Sequence, residues 1–529
     1  MAVSPAAGPS PGFVPSPAAT SGGAAASLAS LPLELRGPIL RGLRWTLWLS
    51  ALAMPLGYAT RLMLARTGPQ VIGAFGLLLI YIRLVSTFLL LGGNAVLIQF
   101  LPQLAPQQRR GFLMRYGAIV LAALAPWFAI AWFWPAGLHW LFGAVGGARF
   151  QVILIWLSPI YIALSLSNAA LKGLLEITWA QILGRAVTVG SFVAYAFLFF
   201  ADRSLLAREY LILIWGIYLT LAAIAAAIGL HVFWRHTPPA PRRGPGPAAR
   251  APALPRGFWG YTLNLQGNSA IGFLSASLDS LLVLHWGGLR KLGLYVALMT
   301  LIAITPTLLD LLLDTLLPSL THAIAHGGYG AMAGLNHACG RVLYLGALAL
   351  ASFMALFAAP LLAVFGPAYT GLAPLLRIAA PMAAILAASH LYNTIFSAIG
   401  QPQRSTLAQL ARLLVFIVLF PPLWHAEGLA GAVWTWAAAE LAHHLASLFF
   451  VRRGGLSIPF ARGYAVLWAA LAASGGLACA APHLGWAWDG VAWCVVLLAF
   501  LAAAGYRTAE IRAFLNFLRP GRGAGMHPA

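Results

Sequence analysis

Fourteen long apolar stretches, separated by short loops, run through this chain. A bilayer's hydrocarbon core is roughly 30 Å thick, so a spanning helix needs about 20 mostly apolar residues. Only helices and closed barrels satisfy their backbone polar groups in lipid. Barrel strands alternate apolar and polar residues. Stretches such as 345–362 do not alternate, so they read as helices. The composition agrees: 61% of the 529 residues are hydrophobic and 8% are charged, against about 25% charged in a soluble domain. Lipid must be the solvent of such a chain. The fold class is therefore an all-α polytopic membrane protein.

The spans are expected at 43–64, 71–93, 116–134, 150–172, 180–200, 210–234, 258–286, 292–320, 341–365, 371–399, 405–424, 428–450, 464–482 and 490–506. Residues 1–35 are rich in Pro, Ala, Ser and Gly, without the basic and apolar regions of a signal peptide, and read as a disordered tail. Residues 235–257 form a basic, Pro- and Gly-rich linker, and 510–529 a second tail.

The net charge of +21 first suggests nucleic acid. Its distribution excludes that partner. With the N-terminus inside, 22 of the 32 Lys and Arg fall in cytoplasmic loops and 7 on the other side. This is the positive-inside rule, and it places both termini in the cytoplasm. Cys339, Cys479 and Cys494 have no metal-ligand spacing and read as packing residues. No P-loop is present and no cofactor is expected.

The chain also repeats. Shifted by 220 residues, Gly73 falls on Gly293, Phe75 on Tyr295 and Asn94 on Asp314, and Pro159 falls near Pro381. The sequence thus divides into a lobe of six helices at 36–234, a second at 258–451, and two added helices at 452–509. Paired repeats of this kind are a transporter plan.

Ionisable residues inside spans are costly and mark function by default. Arg83 lies near mid-membrane in the second span, where a guanidinium can grip a phosphate in two-point fashion; it can equally be a structural ion pair. Asp310 and Asp314 are four apart on one helix face, one turn past Pro306. They read as a cation or proton site, or as two wetted acids at a cavity mouth. Arg412 and Glu440 sit at similar depth in neighbouring helices and are expected to pair as a structural bridge. Arg61 and Asp279 lie towards the outer ends of the first and seventh spans. They read either as a latch between lobes or as residues satisfied separately.

Four stretches resemble the polysaccharide-flippase branch of the multidrug/oligosaccharidyl-lipid/polysaccharide (MOP) exporter superfamily. They are 66–102 (RTGPQVIGAFG onward), 277–301 (SLDSLLVLHWGGLRKLGLYVALMTL), 361–385 (LLAVFGPAYTGLAPLLRIAAPMAAI) and 398–407 (AIGQPQRSTL) followed by EGLAGAVWTW. The resemblance implies a V-shaped pair of six-helix lobes with a central cavity. By depth and charge, Arg83, Arg61, Asn94 and Arg377 are the candidates to line it, and Asp279, Asp310 and Asp314 are the candidate gate or ion-coupling residues. The resemblance also implies a bacterial inner-membrane flippase, not an enzyme, that moves a polyprenyl-diphosphate-linked oligosaccharide among membrane lipids, with a polysaccharide polymerase or ligase as further partner. Lipid II flippases of the superfamily share the 14-helix plan, and drug/cation antiporters are more distant. A membrane glycosyltransferase or ligase would need a long outer loop, and every outer loop here is short. Reporter fusions at Gly246 and Pro482 should read opposite sides of the membrane; the same side at both would refute the span count.

Overall fold

The computed structural model of the protein describes residues 33–506, except 93, 135, 137–147, 239–253, 256 and 481–485. Most of the expected tails and linker lies outside these residues, as do the side chains of Asn94, Asp310 and Asp314. The described residues are helical, with no strand among them. The first group comprises α1 (Leu33–Thr67), α2 (Pro69–Leu84), α3 (Asn94–Phe100), α4 (Pro106–Phe133), α5 (Ala148–Gly173), α6 (Ile177–Ala201), α7 (Arg203–Arg208) and α8 (Tyr210–His236). The second comprises α9 (Phe258–Ile302), α10 (Ile304–Leu356), α11 (Ala358–Phe365), α12 (Ala373–Ala398), α13 (Pro402–Glu427) and α14 (Leu429–Arg453). Last come α15 (Ala461–Ala480) and α16 (Trp486–Ala504).

Eleven segments of the described residues are long and apolar enough to cross a membrane. One of them, Phe258–Leu309, has 52 residues; as a straight rod it would reach about 78 Å, more than twice a bilayer core. It folds back instead. Gly288 takes φ 70° and ψ −179° inside α9, a conformation open to glycine. The Tyr295 hydroxyl then reaches Asp279, 16 residues away, at 2.8 Å. α10 also doubles back. A methyl on Gly346 would lie 3.1 Å from Leu309 Cδ2, although a straight helix would separate the two by about 56 Å. α14, expected as a span, is not among the eleven, because Glu440, His443 and His444 at its centre lower its hydropathy.

Pro306 acts as its chemistry requires. It cannot donate to the carbonyl of Ile302, and the helix is interrupted at Ala303, between α9 and α10. Pro159 and Pro381 are absorbed within α5 and α12.

α1, α5, α6 and α8 pack on one another and on α2, while α10, α12, α13 and α14 form the second group. α15 and α16 pack together against α10. The main seam between the groups joins α2 to α9. There Gly73 meets Gly293, the pair that the 220-residue repeat aligns. A methyl on Gly73 would overlap the Leu289 carbonyl, and one on Gly293 the Pro69 carbonyl. The closeness is reciprocal: those methyls would lie 3.2 Å from Gly293 N and 3.1 Å from Gly73 N. Small residues let helix backbones touch in this way. Beside the crossing, Arg66 Nε donates to the Val364 carbonyl at 2.9 Å, and the Tyr369 hydroxyl donates to the Ala65 carbonyl at 3.1 Å. The two groups are therefore joined at the arginine-poor face. Cysteines at Arg66 and Val364 should cross-link readily, and Gly293→Val should cut that yield severalfold by holding the helices apart. An unchanged yield would show that the glycine crossing does not set closure.

Candidate functional site

The site is built on an interrupted helix. α2 is regular from Pro69 to Leu84, widens into a π turn over Val85–Leu89, and breaks at Leu90–Gly92 before α3 starts. Leu91 (φ 41°) and Gly92 (φ 85°) are left-handed there. Such irregular turns inside membrane helices gather at binding sites. The repeat-related helix of the second group is also interrupted, at Ala303, which the 220-residue offset aligns with Arg83, a few residues before the break at Leu90–Gly92.

Arg83 lies on the last regular turn before the π segment and is exposed. It is about 15 Å along the helix from the Gly73 crossing. Arg61 of α1, half-buried, stacks over the Tyr58 ring at 5.5 Å and belongs to the same group as Arg83. Neither has a carboxylate partner among the described residues.

The break exposes backbone groups at membrane depth, and protein groups satisfy them. The Tyr116 hydroxyl serves the carbonyls of Leu90 (2.6 Å) and Leu91 (3.0 Å). Gln266 of α9 spans the gap: its Nε2 donates to the Thr87 carbonyl at 2.6 Å, and its Oε1 accepts from the Gly92 N–H at 2.8 Å. The surrounding ring contacts, Phe88 with Phe273 at 5.4 Å and Phe100 with Phe258 at 5.7 Å, seat the first arm of α9 on the first group. Sequence reasoning missed both the break and Gln266. The signal was the Gly92–Gly93 pair, which was taken as the end of a straight span.

The second group holds a buried polar cluster. Asp279 accepts from the Tyr295 hydroxyl at 2.8 Å and from Ser280 N at 2.6 Å. Arg412 Nη2 pairs with Glu440 Oε1 at 2.6 Å, and its Nη1 donates to Ser275 Oγ at 2.8 Å and to the Ser275 carbonyl. His443 Nδ1 lies 3.6 Å from Glu440 Oε2. Arg412 thus ties Glu440 of α14 to Ser275 of α9, four residues before Asp279. Removing one member of such a buried pair costs about 3–5 kcal/mol.

Of the two readings of Arg61 and Asp279, the structure shows the one in which they are satisfied separately: Asp279 within its own group, and Arg61 stacked on its own helix. The Nε of Arg377 on α12 is buried without a hydrogen-bond partner among the described residues.

No protein-family profile and no curated protein sequence matches this chain. Solved structures do. The lipid II flippase MurJ, in an inward closed conformation, aligns at TM-score 0.68 and 11% identity, covering 90% of this chain and 99% of that one. The chain has the fold of the MOP transporters. An inward-facing multidrug resistance MATE family transporter of the MOP superfamily aligns at TM-score 0.60 and 14% identity, over 76% of this chain and 93% of that one. A MOP superfamily transporter from Pyrococcus furiosus aligns at TM-score 0.54 and 13% identity, over 79% and 95%. The MOP fold accounts for the all-helical, multi-pass architecture.

Gln266→Leu should leave the Gly92 N–H and Thr87 carbonyl unpaired, at about 1–3 kcal/mol per group. Hydrogen exchange at the Gly92 amide should then speed by roughly ten- to a hundredfold. Gln266→Glu, which keeps an acceptor for Gly92, should fall between. Wild-type exchange in the leucine variant would mean that the clip is not holding the break.

Proposed function

We propose that this chain moves a polyprenyl-diphosphate-linked oligosaccharide from the cytoplasmic to the periplasmic leaflet of the bacterial inner membrane, by alternating access between its two helix groups. The observation that carries the reading is Arg83, beside the interrupted helix, with Arg61 in the same group and no acid paired to either among the described residues. Placing an arginine at a span's centre costs about 2.5–3.5 kcal/mol. Such a cation complements a diphosphate, whose charge offsets its own and whose oxygens accept guanidinium forks. The interruption of the same helix in both halves supports placing the site there.

Closure at the arginine-poor face is one end of the required cycle. The arginine-rich face is then cytoplasmic, with both termini on that side. The Asp279–Arg412–Glu440 cluster is a place where an ion or proton could couple to transport. Asn94, Asp310 and Asp314, near the break and its repeat, stay in the proposal as cavity and coupling residues. A polymerase or ligase receiving the product also belongs to this reading. Lipid II is a second cargo, favoured by the coverage of 90% of this chain and 99% of the MurJ structure; it carries the same diphosphate.

Reconstituted vesicles loaded with fluorescent lipid-diphosphate oligosaccharide test the proposal. Arg83→Ala should slow translocation about ten- to a hundredfold, the worth of a lost charged hydrogen bond. Arg83→Lys should retain part of the rate, and lipid II in parallel vesicles separates the two cargoes. Wild-type transport by folded Arg83→Ala protein would sink the reading.

A further inference from the structure

The arginine-rich face carries a cleft of about 730 Å³ at the feet of α10, α15 and α16, and no residue of the interrupted α2 lines it. Its walls include His337, Arg341, Ser457, Phe460, Arg462 and Gly505, and no acidic residue lines it. The volume suits a small ligand or headgroup.

The walls are fixed. The Arg341 guanidinium packs against two rings that meet edge to face, 5.0 Å from Phe460 and 4.7 Å from Tyr506. Its Nη2 donates to the Gly505 carbonyl at 3.2 Å, while the Tyr506 hydroxyl donates to the Arg341 carbonyl at 2.6 Å. The His337 ring meets Phe460 edge-on at 5.1 Å. Phe460 holds φ 45°, a strained backbone for a bulky residue and one kept only where the surroundings over-determine it. Arg462 is exposed. Its Nε donates to the Ala503 carbonyl at 2.9 Å, and no hydrogen bond from its Nη groups occurs among the described residues.

Arginines that merely set topology need no fixed orientation. These two are held in place around a cavity, one by rings and both by the last carbonyls of α16. Capping explains the carbonyl bonds but not the cavity, the absence of acid in its lining, or the unused edge of Arg462. The cleft also lies where α15 begins and α16 ends, the level at which spans meet headgroups. Basic pockets between helices on this side bind phosphate-bearing headgroups. The chain beyond Tyr506 is itself basic, with Arg507, Arg512, Arg519 and Arg522 against Glu510, and does not complement the cleft.

We propose that this cleft is a binding site for a phosphate-bearing anion, gripped by Arg341 and Arg462 with the Ser457 hydroxyl at its rim. The anion is either an anionic phospholipid headgroup or free phosphate.

The full chain, purified and placed in nanodiscs of phosphatidylcholine with or without phosphatidylglycerol, tests it by native mass spectrometry and thermal melting. A second arm adds inorganic phosphate to the pure phosphatidylcholine discs. Arg404→Gln, which removes a cation on the same face outside the cleft, is the control. For the lipid source, wild type and Arg404→Gln retain phosphatidylglycerol, Arg462→Gln binds it about tenfold more weakly, and Arg462→Lys falls between. For the soluble source, phosphate raises the melting temperature of wild type and Arg404→Gln but not of Arg462→Gln, with no lipid retained. Should Arg462→Gln misfold, Arg462→Lys carries the comparison. Equal binding by wild type and both Arg462 variants, or no binding of either probe by wild type, overturns the proposal and leaves the arginines as caps of α16.

Discussion

A backbone in hydrocarbon has no solvent to bond with, and that constraint governs every departure from helix in this protein. The interruption of α2 survives because Gln266 and Tyr116 take up the freed groups. The turn at Gly288 needs a residue without a Cβ. The break at Ala303 follows from the missing N–H of Pro306. Each irregularity is matched by a particular side chain or residue type. The helix that carries Arg83 can therefore be bent in the membrane without leaving its backbone orphaned.

The second organising contact is the Gly73–Gly293 crossing. The two residues that the 220-residue offset aligns are both glycine and meet each other, so the backbones approach reciprocally. The symmetry stops at the polar groups. Tyr295, whose hydroxyl holds Asp279, aligns with Phe75, and Asp279 aligns with Ala59. The acid cluster consequently exists in the second half only, while Arg61 and Arg83 lie in the first, where Arg83 aligns with Ala303. Among the described residues, the first half holds arginines without a paired acid and the second holds Arg412 paired with Glu440 beside Asp279.

Paired and unpaired arginines also carry different costs. Arg412 is neutralised by Glu440 and bonded to Ser275, so its burial is compensated locally. Arg61 and Arg83 have no such compensation among the described residues, and a stacked tyrosine ring is worth far less than a carboxylate. A membrane protein retains uncompensated charge where a ligand completes it.

Length and hydropathy determined much of this protein in advance. The all-helical, many-span architecture, the repeat, the effect of Pro306 and the neighbourhood of Arg412 and Glu440 were all legible, because each follows from period, depth or residue type along one helix. The MOP resemblance pointed to the fold that the solved structures share. What the sequence left open was azimuth. Depth along a helix follows from counting at a fixed rise, but the direction of a side chain depends on how that helix is rotated against its neighbours. That rotation set Asp279 against Tyr295 of its own group and left Arg61 stacked on Tyr58 of its own helix. Gln266 could not be found from its own helix, since its role exists only where α9 crosses the break in α2. Only the packed structure decided which charges meet, because contacts between helices distant in sequence are set by the fit of whole surfaces.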